Sequence, residues 1–262
     1  MRTNYHTHTT WCDGRDSAEA MVQAAISKGF AVLGFSSHMS FPENSPWALD
    51  PGRGLDYVRE IRALAEKYRS QIKILCGGEA DFIPGVTDPD RSRYAHLGLD
   101  YIIGSVHEVI APDGGRVSVD NTPELLAEGI RSHFQGDARS FVEAYFRQQT
   151  DMVERFDFDV VGHPDLVRKF NRKHPYFDES AKWYLELERE FAAVLAKSGK
   201  RTEVNTGAIS RGWLDDAYPA APFREMLRSS GVQFILSSDA HSASGIDCAF
   251  DRFAAAEAFT EL

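Results

Sequence analysis

A chain of 262 residues, 43% hydrophobic and 26% charged, has the composition of a globular protein long enough for one α/β barrel or two smaller domains. Its formal charge of −10 and lack of a basic stripe argue against a duplex-binding surface, and no apolar run approaches the ~20 residues of a membrane span. Three widely spaced cysteines without CxxC pairing argue against disulfide staples or a cysteine-based zinc knuckle, and without a signal-peptide core the chain reads as cytoplasmic.

The chain opens on Tyr5-His6-Thr7-His8-Thr9-Thr10. Alternate side chains of a strand share a face, so His6 and His8, about 6–7 Å apart, can converge on one cation. Asp16-Ser17-Ala18-Glu19 has the form of a capping box before a helix that ends at Lys28-Gly29. A buried-strand run over 30–35 ends in Ser36-Ser37-His38, followed by a Pro-rich loop over 41–51 and a helix over 55–68. Residues 72–75 form a strand leading to Gly77-Gly78-Glu79-Ala80-Asp81. After a short helix over 90–97, the strand 100–104 ends in Ser105-Val106-His107-Glu108.

Residues 110–138 break the rhythm with a Gly-rich turn at 112–115 and an extra helix after Pro123, and read as an insertion. The helix 140–156 restores it, and the strand 159–162 leads to His163-Pro164-Asp165. A helix over 179–198, a strand over 201–204 ending in Asn205-Thr206-Gly207, a helix over 222–229 and a strand over 233–236 follow. The last strand ends in Ser237-Ser238-Asp239-Ala240-His241, and a final helix spans 246–259.

Seven strand–helix alternations imply a parallel sheet with right-handed crossovers, and polar clusters gather after the strand ends, where such folds place their sites. A closed barrel fits better than an open sheet. Closure makes the first and last strands neighbours and brings His6 and His8 to Asp239 and His241.

Of nine histidines, His6, His8, His38, His107, His163 and His241 fall at predicted strand ends, while His96, His133 and His174 fall in helices or loops. One histidine at a strand end is more often a satisfied polar residue than a ligand. Six of them, with Asp13, Glu79 and Asp239 in equivalent places, form a cluster that suits Zn, Fe or Mn. Nine ligands exceed one tetrahedral site, so two to three divalent transition-metal ions are expected, a standard arrangement for hydrolysing phosphate esters.

In this order, His6-Thr7-His8, Asp13-Gly14, Ser37-His38, Gly78-Glu79-Ala80-Asp81, Gly104-Ser105-Val106-His107, Gly162-His163-Pro164-Asp165 and Ser238-Asp239-Ala240-His241 resemble the motif set of the PHP (polymerase and histidinol phosphatase) superfamily. The resemblance spans the chain. Val204-Asn205-Thr206-Gly207 with Arg211-Gly212 brings it nearest the stand-alone histidinol-phosphate phosphatases. It implies a single-domain, distorted (β/α)7 barrel with a three-ion centre. One ion would take His6, His8, Glu79 and Asp239; a second would share Glu79 and add His107 and His163; a third would take Asp13, His38 and His241. Some members have histidine where this chain has Asp13.

The implied reaction is hydrolysis of L-histidinol phosphate by metal-activated hydroxide, with a small phosphorylated substrate as partner and neither nucleic acid nor membrane. Arg211, with Arg168 or Lys169, would bind the phosphoryl oxygens. Asp165 is a candidate proton donor to the leaving alcohol, and His241 also stands at the reacting centre. Glu43, Asp81 and Glu108 are candidate partners for the ammonium and imidazole of histidinol. Two alternatives use similar metals: a PHP phosphoesterase or exonuclease on nucleotides, and an amidohydrolase-type hydrolase. The first would want a basic, aromatic-lined channel and the second a bridging lysine at a strand end.

Overall fold

The computed structural model describes residues 1–42, 45–255 and 258–262. Its parallel strands are β1 (Thr3–Asn4), β2 (Val32–Phe35), β3 (Lys73–Cys76), β4 (Gly78–Asp81) and β5 (Ile102–Ser105), then β8 (Val160–Val161), β9 (Arg201–Asn205) and β10 (Phe234–Ser237). The antiparallel pair β6 (Glu108–Ile110) and β7 (Arg116–Ser118) forms a hairpin between β5 and β8.

One sheet runs β1-β2-β3 and the other β10-β9-β8-β5-β4. They join because β3 and β4 are one strand bent at Gly77, where a Cβ would lie 2.4 Å from the Tyr101 ring. The opposite seam closes where Thr7 bridges Ala240 in parallel and the His8 N–H donates to the Ala240 carbonyl at 2.9 Å. Seven strand positions thus form a distorted (β/α)7 barrel, and His6 and His8 stand beside Asp239 and His241 as closure required.

The outer layer holds α1 (Ala18–Ser27), α2 (Gly54–Tyr68), α3 (Pro123–His133), α4 (Ala138–Arg155), α5 (Lys182–Ser198), the one-turn α6 (Gly207–Ser210), α7 (Ala221–Ser229) and the short α8 (Phe250–Ala254). The N-cap of α1 is Ser17, whose Oγ accepts from Ala20 N, so the capping-box register shifts by one residue. Glu19 pairs instead with Lys67 and Tyr68 on α2. The helix expected over 90–97 is a 3₁₀ helix, Arg91–Leu97. The final helix is shorter than expected, and residues 256–257 of its predicted span lie outside the described residues. The irregular stretch after His107 folds as the β6–β7 hairpin followed by α3. Among the described residues no helix is long and apolar enough to cross a membrane.

Inside the barrel the side chains form layers, because inward residues recur every second position along a strand. Tyr5, Val32, Tyr101, Ile103, Val160 and Ile235 form an apolar floor, sealed by the Tyr101 hydroxyl, whose one proton is shared between the carbonyls of Tyr5 and Phe35. Two residues further along lie Ser105, Glu203 and Ser237, and two beyond those His107, Asn205 and Asp239. The barrel therefore passes from apolar to polar toward its C-terminal mouth.

Behind the mouth, between the 163–169 turn and α5, Asp165, Glu179 and Glu188 gather around Arg168. One guanidinium cannot balance three carboxylates. Burial, then the proximity of Asp165, pushes the Glu188 carboxyl up to about 8. A carboxyl whose pKa rises on folding stabilises the fold while it keeps its proton. That contribution is full below the ordinary carboxylate range and falls as pH rises toward about 8. Glu188→Gln is therefore expected to flatten the pH dependence between 5 and 8. Urea melts should show the variant gaining on wild type as pH increases, and parallel curves would show that Glu188 is ionised throughout.

Candidate metal centre

Six of the seven strand positions deliver a candidate ligand to the mouth. His6 and His8 follow β1, with Asp13 in the next turn. His38 follows β2 and pairs by a parallel bridge with Glu79 on β4. His107 follows β5, His163 follows β8, and Asp239 and His241 follow β10. All nine expected ligands fall into four overlapping groups: His8, Asp13, His38 and His241; His6, Glu79 and His163; His6, His8 and Asp239; and His38, Glu79 and His107. Within each group one donor atom per residue lies within 4.8 Å of the others.

Glu79, 1% exposed, is the carboxylate on which five of the imidazoles converge. Its Oε2 lies 3.1 Å from His6 Nε2, 3.5 Å from His8 Nε2 and 3.1 Å from His38 Nδ1. Its Oε1 lies 3.0 Å from His163 Nε2 and 3.5 Å from His107 Nε2, and accepts from Ser105 Oγ at 2.7 Å. Yet His6 Nε2, His8 Nε2, His38 Nδ1 and Glu79 Oε2 are buried without a hydrogen-bond partner among the described residues. Buried polar atoms are normally satisfied. Lone pairs that converge without pairing, on borderline-soft imidazoles and carboxylates, fit divalent transition-metal ions.

The electrostatics point the same way. Burial opposes every charge here, and it prevails at His8, which falls to about 3 with His241 and His38 adding to the effect. Elsewhere the neighbours overcome it. Glu79 is held well below the carboxylate range by His6, His38 and His107, and Asp239 by Arg211 and His6. Against burial, Glu203, Glu79 and Asp239 push His6 well above the usual histidine range, while Asp81 and Glu79 lift His107 to about 10. The centre carries enough negative potential to draw cations.

A cavity of about 850 Å³ opens over the cluster. Its lining includes Arg15, Trp47, Glu108, Asp120, Lys169, Arg211 and Tyr218 beside the ligands. Arg211 donates to Asp239 Oδ2 at 2.9 Å and to the Asp239 carbonyl at 3.2 Å. Lys169 donates to Asp120 Oδ2 at 2.9 Å.

Arg168, by contrast, is not part of the lining: it is held by Asp165 Oδ2 at 3.0 Å and Glu179 Oε2 at 2.5 Å. Asp165 is fully buried on Arg168 and the Ala220 N–H, out of reach of a leaving group. Asp81 sits behind His107, bonded to its Nδ1, rather than at the wall. Glu108 does reach the wall, paired with Arg116. Glu43 lies outside the described residues.

Sequence reasoning missed Glu203, Asp120 and Trp47. Glu203 stands in a strand of mostly polar residues, Arg201-Thr202-Glu203-Val204-Asn205, where strand period alone does not single it out, although a carboxylate two residues before the strand end was a signal. Asp120 lies just beyond the hairpin. Trp47 comes from the Pro-rich loop and packs edge-on against the His38 ring at 5.0 Å.

A seven-stranded barrel with six imidazoles and three carboxylates at its mouth defines a metal-centred α/β barrel of the hydrolase kind. The PHP domain profile matches residues 4–207, and the chain belongs to that family. It is 30% identical over 258 residues to the "Probable histidinol-phosphatase" of Schizosaccharomyces pombe, covering 92% of this chain and 81% of that protein. Its fold is similar to the crystal structure of hisK from Listeria monocytogenes, with TM-score 0.86, 22% identity, and 96% and 100% of the two chains covered. It is also similar to histidinol phosphate phosphatase from Lactococcus lactis subsp. lactis, solved with zinc, L-histidinol and phosphate, with TM-score 0.67, 24% identity, and 92% and 87% covered.

Proposed function

We propose that this protein hydrolyses L-histidinol phosphate to L-histidinol and phosphate at a centre of two to three divalent transition-metal ions. The observation that carries the reading is the convergence of nine donors, four atoms of them buried and unpaired, under a cavity with cations on its wall. The relatives named for this activity support the substrate.

One ion would be held by His6, His8, Glu79 and Asp239, a second by Glu79, His107 and His163, and a third by Asp13, His38 and His241. When bound, the ions supply Lewis acidity toward phosphoryl oxygens and make water nucleophilic near neutral pH. Arg211 spends two contacts on Asp239 and has further N–H groups to offer a phosphoryl oxygen. Lys169 adds a second cation, already oriented by Asp120. Asp120 and Glu108 give the wall a negative side for the ammonium and imidazole of the leaving alcohol. His241, whose side chain is 25% exposed, is the most accessible of the six imidazoles.

The test is a phosphatase assay with bound metal quantified. Histidinol phosphate should be hydrolysed with kcat/KM at least about tenfold above AMP, a gap of about 1.4 kcal/mol. The cavity wall favours this over a nucleic-acid substrate. Beside the metal ligands its cations Arg15, Lys169 and Arg211 are interleaved with Glu108 and Asp120, not lined up as the continuous basic groove a phosphodiester strand would need. Faster cleavage of AMP or a short oligonucleotide would overturn the substrate and leave the metal chemistry standing.

A further inference from the structure

β9 supplies none of the nine clustered groups, yet its inward Glu203 ties together the strands that do. Glu203 is fully buried. Its Oε1 accepts from the His163 backbone N–H at 2.9 Å and Asn205 Nδ2 at 2.8 Å, and its Oε2 accepts from Ser237 Oγ at 2.6 Å. His6 Nδ1 lies 3.0 and 3.2 Å from the two oxygens. An ionised carboxylate only accepts, so all four partners must donate.

Two consequences follow for the centre. His6 must carry a proton on Nδ1, so Nε2, 3.1 Å from Glu79 Oε2, is the nitrogen left to ligate an ion. His163 has φ of 21°, in the region that L side chains rarely enter, and its N–H is fixed in that turn by Glu203. One side chain thus sets the tautomer of one candidate ligand and the backbone of another.

We propose that Glu203 is a positioning residue for the metal centre, fixing His6 in the Nε2-ligating tautomer and holding the turn that presents His163. The inference rests on the metal-centre reading above. Glu203→Gln keeps the shape but replaces one acceptor oxygen with an amide NH₂, which must then face a group that itself donates. Turned toward His6, it moves the imidazole proton onto Nε2 and blocks that lone pair.

The experiment is Zn²⁺ binding to metal-stripped protein, measured by competition with a chromogenic chelator, for wild type and Glu203→Gln. The expected result is zinc affinity lower by about 10–100-fold, the range found when partners behind ligating histidines are lost. Phosphatase rate should recover at saturating zinc, because all nine ligands remain. A purely structural role would lower the melting temperature of the metal-free protein and leave zinc affinity within about threefold of wild type, and that result overturns the proposal. If Glu203→Gln does not fold, Ser237→Ala replaces it: removing one donor from Oε2 should weaken zinc binding, and unchanged affinity overturns the proposal equally. A wild-type chain that takes up no zinc overturns the metal-centre reading itself, whereas zinc uptake unchanged by the variants overturns this inference alone.

Discussion

Glu79→Gln should cost the protein at least one metal ion per chain and lower kcat for histidinol phosphate by about 10³-fold, roughly 4 kcal/mol of transition-state stabilisation. Five imidazoles, those of His6, His8, His38, His107 and His163, face this one carboxylate at 3.0–3.5 Å. A neutral amide keeps the Ser105 contact but removes the negative charge that two ions would share. It also presents an NH₂ where a lone pair is needed. Replacing a peripheral ligand such as His241, whose carboxylate neighbours among the described residues are Asp13 and Asp239, should empty a single position and cost less. Elemental analysis of protein purified without chelator, set beside steady-state kinetics, checks both halves. Full metal content in Glu79→Gln with a rate within tenfold of wild type would show that Glu79 does not bridge.

Arg211→Ala is the second large effect, with kcat expected to fall about 10²–10³-fold, as when an electrostatic donor to a developing charge is removed. The guanidinium is anchored on Asp239 through two of its nitrogens, so little reorganisation is needed before it contacts a phosphoryl group. Arg211→Lys should restore only part of the rate, because an ammonium keeps the charge and loses the planar fork. Metal content should stay at the wild-type level in both variants. Asp239 keeps its other oxygen 3.4 Å from His8 Nε2 and 3.9 Å from His6 Nε2 without help from Arg211. Loss of metal together with rate would recast Arg211 as a support for Asp239, and kinetics within threefold of wild type would make it a solvated loop charge.

The barrel and the gathering of the nine groups were legible in the sequence because both follow from local rules. Apolar runs of strand length alternate with helical periodicity, and polar residues come directly after each run. Parallel connectivity then places every such end at one mouth, and closure joins His6 and His8 to Asp239 and His241. The irregular stretch after His107 gave no such pattern, and its hairpin depends on pairing Glu108–Ile110 with Arg116–Ser118.

Tertiary structure alone decided which neighbours of the site reach it. Arg168 and Lys169 are adjacent in one tight turn and equally basic. One is drawn inward by Glu179 and Asp165, the other toward Asp120 at the cavity, and those partners lie as far as 49 residues away. Asp165 follows the His163-Pro164 motif yet is sealed under Arg168 and Ala220, whose N–H groups hold its carboxylate away from the mouth that Lys169 of the same turn reaches. Glu203 reads as one polar residue among several in its strand until β1, β8 and β10 bring His6, His163 and Ser237 around it. Strand period fixes the face a side chain takes, and the residues assembled there from other strands fix what it does.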